Sequence, residues 1–211
     1  PMHFQIIKSG KFGFFIMLLI LLPLCGNIDY VLGLWLVDVP AHTANFVVLV
    51  LLYSLLDGIL TPIAIGVFAQ GEIKAYEIAL CIIYAVNFIA SYVCLKLGMA
   101  PETVFVLNIA FKACVLADLL VHSKAKYAFP VHAFLKQCLL PSAVVFVLSG
   151  AFTYFMPWEA PNSFWEFLLH TLAIIICTSL MALAIGMTKG ERLFLKKNLR
   201  DKITVKLYRK I

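Results

Sequence analysis

Lys112 stands near the middle of an otherwise apolar run, residues 103–121, and Asp57 stands at a similar place in another, residues 44–69. A charge held where hydrocarbon is expected costs roughly 2.5–3.5 kcal/mol on insertion scales, unless it meets a partner or a water-filled cavity. An ammonium in such a place attracts an anionic substrate, and a carboxylate binds or relays a coupling cation. Polar neighbours recur at helical spacing. Ser54, Asp57 and Thr61 share one face, Tyr84, Asn87 and Ser91 a second, and Asn108 and Lys112 a third. Two readings fit this pattern. In one, Lys112, Asp57, Asn108 and Asn87 line a hydrated path for a substrate and Asp57 takes a coupling ion. In the other, Lys112 and Asp57 form an ion pair between helices and the remaining groups glue a bundle together by hydrogen bonds.

The elements that would carry these residues follow from composition. The chain has 211 residues, of which 63% are hydrophobic and 13% charged, and its mean hydropathy is +0.99. Apolar runs of about twenty residues, enough to cross roughly 30 Å of hydrocarbon, recur along it. Six spans are predicted, at 12–36, 44–69, 75–95, 103–121, 139–156 and 164–187. They are too long and too uniformly apolar for the alternating strands of a membrane barrel, so each must be a helix that satisfies its own backbone. The fold class expected is an all-α membrane bundle over 1–188, followed by a basic amphipathic segment over 189–211. Pro23, Pro62 and Pro141, which lack an amide donor, are expected to kink or interrupt their helices.

Basic residues set the expected topology. Lys8 and Lys11 precede the first predicted span, Lys74 lies in the second connection, Lys124, Lys126 and Lys136 lie in the fourth, and nine of the 17 basic residues follow the last span. The other side has Lys96 alone, beside Asp38, Glu102 and Glu159 and an interfacial belt of Trp35, Trp158 and Trp165. Both termini of the segment are therefore expected in the cytoplasm. The net charge of +6 collects at one face and in one tail, which implies a membrane surface and no nucleic acid. In that tail Leu195, Leu199, Ile203, Leu207 and Ile211 recur every four residues among Lys196, Lys197, Arg200 and Lys202, a spacing that suits an interfacial helix on anionic lipid, the alternative being a solvated, partly disordered tail.

Enzyme chemistry finds no support in the residues. The six cysteines are scattered singly through the spans, without disulfide or zinc spacing. The histidines form no metal motif, and His170, just inside the last span, reads as a packing residue or a proton relay. There is no phosphate-cradling glycine loop, nucleophile elbow or paired carboxylate, so neither cofactor nor metal is implied. Asp118, read as lying within one turn of a helix end beside His122 and Lys124, is expected to reach the headgroups.

Four stretches resemble the bacterial polysaccharide and O-antigen flippases of the multidrug/oligosaccharidyl-lipid/polysaccharide exporter superfamily. Leu34-Trp35-Leu36 with Val39-Pro40 is similar to the family's outer-loop signature, and Gly71-Glu72-Ile73-Lys74 with Tyr76 to its next connection. Leu95-Lys96-Leu97-Gly98 with Pro101-Glu102 and Val104-Phe105 resembles the following outer loop, and Thr188-Lys189-Gly190-Glu191-Arg192 the segment that closes the last helix. The resemblance implies the C-terminal lobe of a two-lobed exporter of about fourteen helices, built like many transporters from repeated halves. It further implies a missing N-terminal half as partner, a bacterial inner-membrane location, and an undecaprenyl diphosphate glycan as substrate, flipped without bond breaking. A multidrug exporter of the same superfamily and a non-transporting six-helix assembly protein are the alternatives.

Overall fold

A computed structural model of the chain describes residues 2–71, 73–156, 161, 163–188 and 190–192. Among these there is no strand, and six helical stretches are long and apolar enough to cross a membrane. The chain is an all-α multi-pass membrane bundle. Its elements are α1 (Met2–Gly26), α2 (Ile28–Gly33), α3 (Thr43–Phe68), α4 (Lys74–Lys96), α5 (Thr103–Tyr127), α6 (Val131–Phe134), α7 (Leu140–Phe155) and α8 (Phe164–Met181). A π-turn at Leu135–Leu139 joins α6 to α7, and another at Ala182–Gly186 extends α8.

The first span departs from its expected limits. Helix begins near the start of the chain, so Lys8 and Lys11 lie within α1 rather than before it, and the helix stops at Gly26 instead of continuing to 36. The break is local chemistry. The Asn27 side-chain amide donates to the Pro23 carbonyl at 3.0 Å, taking the place of a backbone donor, and the Asn27 carbonyl then accepts from Val31 to start α2. Pro62 has no such effect, since α3 runs through it without a break. Pro141 sits in the first turn of α7, where its missing N–H is least costly. Just before it the Leu140 N–H reaches back five residues to the Leu135 carbonyl, the π pattern. The fifth span thereby starts at Val131 rather than 139. At α8, Ser163 caps the helix by accepting from the Glu166 N–H at 3.3 Å, which holds the start at the expected residue.

α1 is the axis of the bundle. It packs against α3, α7, α8 and the first π-turn, while α5 stands between α3 and α4. Leu18, Ile63, Leu119, Phe134, Val145 and Ile174 meet in the interior. Between helices in lipid the attraction is close packing rather than water exclusion. Where α1 crosses α3 the backbones themselves meet: a Cβ on Gly13 would lie 3.4 Å from the Gly58 carbonyl. At the periphery, α4 leans on α5 and presents Ile78, Ile82, Phe88, Ile89 and Tyr92 outward to the bilayer.

Candidate functional site

α3 and α5 are fastened at three levels, and the candidate site is the middle one. Asp57 and Lys112 each lie near the centre of their helix, and the Lys112 ammonium donates to Asp57 Oδ1. The ring of Tyr53, one turn before Asp57 on α3, lies beneath the same ammonium at 4.2 Å. Lys112 is 6% exposed, whereas the Asp57 side chain is 42% exposed. One turn back along α5, Asn108 accepts a hydrogen bond from the Asn87 amide of α4, and the Asn87 carbonyl oxygen is buried with no partner among the described residues. Tyr84 on α4 is exposed, and Ser91 is buried. The site therefore takes residues from α3, α4 and α5, with α5 supplying the lysine at its centre.

The structure thus brings together the four residues singled out as cavity candidates, Asp57, Asn87, Asn108 and Lys112, as two bonded pairs one turn apart on α5. Ser54 and Thr61 do not join them: each hydroxyl turns back to its own helix, to Val50 and Asp57 carbonyls at 2.9 and 2.8 Å. Tyr53 was missed by sequence reasoning, although it stands four residues before Asp57 on the same face, and that spacing could have found it.

The asymmetric exposure decides what the pair can do. Lys112 is enclosed by its aspartate and tyrosine, and the accessible end of the pair is the carboxylate. A group approaching from the open side meets the carboxylate first. An anion reaches the ammonium only by displacing Asp57 from it. Lys112 is thus already occupied by Asp57 rather than free.

Above and below this level the two helices are held by other contacts. His42 and Asn45, at the start of α3, bind Glu102 at the start of α5, with the Asn45 amide 3.2 Å from Oε1 and His42 Nδ1 closer still. The Glu102 carboxyl is held below the usual carboxylate range by its own backbone N–H, with Asn45 and His42 adding to the effect. Near the opposite end, the Tyr127 hydroxyl donates to the Ile63 carbonyl at 3.5 Å, the long limit of such a bond.

The remaining candidates lie elsewhere. Asp118 stands more than two turns before α5 ends at Tyr127, so it does not reach out from a helix end. Instead it pairs with His122 at 3.2 Å, and its Oδ2 is buried without a partner among the described residues. His170 lines a separate cavity of about 370 Å³ with Asn27, Thr153 and Tyr154, where α1 breaks. An apolar cleft of about 310 Å³, lined by Phe14, Leu55, Ile59, Ile109, Ser142 and Phe146, also excludes the Asp57–Lys112 pair from its walls. The described residues hold no cluster of three metal-ligating side chains. Lys196, Lys197, Arg200 and Lys202 lie outside the described residues, as do Trp158 and Glu159. Against known proteins, no family model, curated protein or solved structure matches this chain.

Proposed function

We propose that this bundle is one lobe of a bacterial inner-membrane transporter that flips lipid-linked oligosaccharide, an undecaprenyl diphosphate glycan, with ion exchange at Asp57 biasing its inward and outward states. Its substrate rests on the resemblance of the four stretches to polysaccharide and O-antigen flippases. Its mechanism is supported by one observation above the rest: an ion pair at mid-span whose carboxylate is half exposed and whose lysine is enclosed. Loading Asp57 with a proton or cation weakens its hold on Lys112, and the released ammonium then attracts the diphosphate or an acidic sugar in a medium of low dielectric. One state carries the ion and the other the anion, which is the differential binding a coupled cycle requires. Both termini of the segment face the cytoplasm in this reading.

The test is export in cells lacking their flippase, complemented by the full-length protein. Lys112→Ala and Asp57→Asn should each lower glycan export at least about tenfold, the effect of an interaction worth roughly 1.4 kcal/mol, while membrane abundance stays near the parent's. A second reading, a non-transporting assembly protein, draws on the fact that Lys112 and Asp57 are already bonded to each other. Loss of abundance in step with export would favour it and sink the transport role of the pair.

A further inference from the structure

At the end of the bundle that carries the first turns of α1, the first π-turn packs against that helix and the second meets the side chain of Phe15. A Cβ on Gly10 would lie 3.7 Å from Cys138 Sγ in the first π-turn. On the other side, a Cβ on Gly186, in the second π-turn, would run into the Phe15 ring. Between these contacts Lys11, 1% exposed, donates to Glu191 Oε2 at 2.6 Å. The bond links residues 180 positions apart.

Glu191 is held in place by Thr188. Its Oε2 accepts from the Thr188 N–H at 2.8 Å, while its own N–H reaches the Thr188 hydroxyl at 3.4 Å, a reciprocal helix-start cap. Arg192 Nε donates to the Met187 carbonyl at 3.1 Å, and its guanidinium also donates to Ala184, a carbonyl of the second π-turn. One short segment thus binds α1 through Glu191 and the π-turn through Arg192.

Packing alone does not require this arrangement. A buried Lys–Glu pair recovers little beyond its desolvation cost, and apolar side chains of similar volume would serve a static core as well. A π-turn, in turn, fits one extra residue into a single turn, is rare, and is found disproportionately at functional sites. Its conversion to α-helix shifts the register by one residue and rotates the remainder of the helix. Here two such turns, on different helices, meet α1 at Gly10 and at Phe15, with the ion-paired Lys11 between them in sequence.

We propose that Lys11–Glu191 is the latch of a conformational switch: closed, it ties the second π-turn to α1 beside the first, and open, it lets both relax toward α-helical register, uncovering Cys138 and freeing Thr188, Glu191 and Arg192. The switch stands on this geometry whatever the bundle carries.

The experiment uses the full protein in membrane vesicles, with Cys25, Cys81, Cys94, Cys114 and Cys177 changed to Ala so that Cys138 alone reacts with a membrane-permeant maleimide. Glu191→Gln and Lys11→Met should each raise the Cys138 labelling rate by about tenfold, the factor implied by losing one charge-assisted hydrogen bond. Amide exchange should rise together at 135–139 and 182–186 and stay unchanged in α3 and α4. An unchanged labelling rate, a rise at only one π-turn, or a rise spread evenly over all helices would overturn the switch and leave a static staple. If the variants do not accumulate, the parent protein decides: exchange at 135–139 and 182–186 must be correlated and faster than in the flanking turns of α7 and α8, and uncorrelated or equally slow exchange overturns the proposal.

Discussion

At the scale of single residues, this protein is governed by where a charge can find its counter-charge. Lys112 is enclosed and bonded to Asp57, so removing the aspartate leaves a buried ammonium without its counter-charge. Asp57→Leu should lower stability by roughly 1–3 kcal/mol, the cost of the buried ammonium losing its hydrogen bond. Lys112→Met with Asp57→Leu should recover most of that loss, because an apolar pair leaves no orphaned charge. Unfolding in detergent, run as a double-mutant cycle, measures the difference; additive losses would mean that the two residues act independently.

The carboxylates outside the spans carry a pH dependence of definite sign. Burial pushes the Glu191 carboxyl up, but Lys11 and the Thr188 N–H and hydroxyl outweigh it and hold the carboxyl below its usual range, as His42 and Asn45 help to do for Glu102. A carboxylate whose folded pKa is depressed contributes stability above its unfolded pKa, near 4.3 for Glu, and loses it as pH falls through the folded value. The melting temperature should therefore drop on acidification below about pH 4, and Glu191→Gln should flatten that acid limb while lowering the neutral-pH plateau. A limb of unchanged steepness in the variant would remove Glu191 as its cause.

Elements answer to closeness of approach. α1 and α3 touch backbone to backbone at Gly13 and Gly58, so Gly58→Leu must drive them apart, at an overpacking cost of about 1–3 kcal/mol. Because α3 carries Asp57 and α5 carries Lys112, that displacement should also impair export more than a Leu placed on the lipid face of α4, such as Ile82→Leu. Equal export from both variants would show that the α1–α3 crossing does not position the pair. The same logic explains why proline misled at one site and not at others. At Pro23 an asparagine four residues on supplies an alternative donor to the proline's own carbonyl and ends the helix; around Pro62 no such substitute acts, and α3 continues.

For the whole molecule, an exterior built from residues such as Phe88, Leu169 and Val147 requires lipid or detergent around it. The excess of Lys and Arg at alternate connections and after the last span predicts the orientation. A fluorescent reporter fused after residue 211 should be active in the cytoplasm, and a phosphatase that works only when exported should be inactive there; the reverse pattern would invert the topology.

Much of this architecture is written in composition, because a run of about twenty apolar residues has one backbone solution in a bilayer, and the polar stripes at Asp57, Asn87, Asn108 and Lys112 follow from helical periodicity alone. What periodicity cannot say is which stripes face each other. Only the packing of α5 between α3 and α4 joined Lys112 to Asp57 and Asn87 to Asn108, slid Tyr53 beneath the ammonium, and left the carboxylate as the open end. Lys11 is the sharpest case: in sequence it is a flanking cation, and in space it is the most deeply enclosed lysine described, bonded to a glutamate 180 residues away. Local pattern fixes helices because their hydrogen bonds are local; partners far apart in the chain are chosen by how whole helices pack.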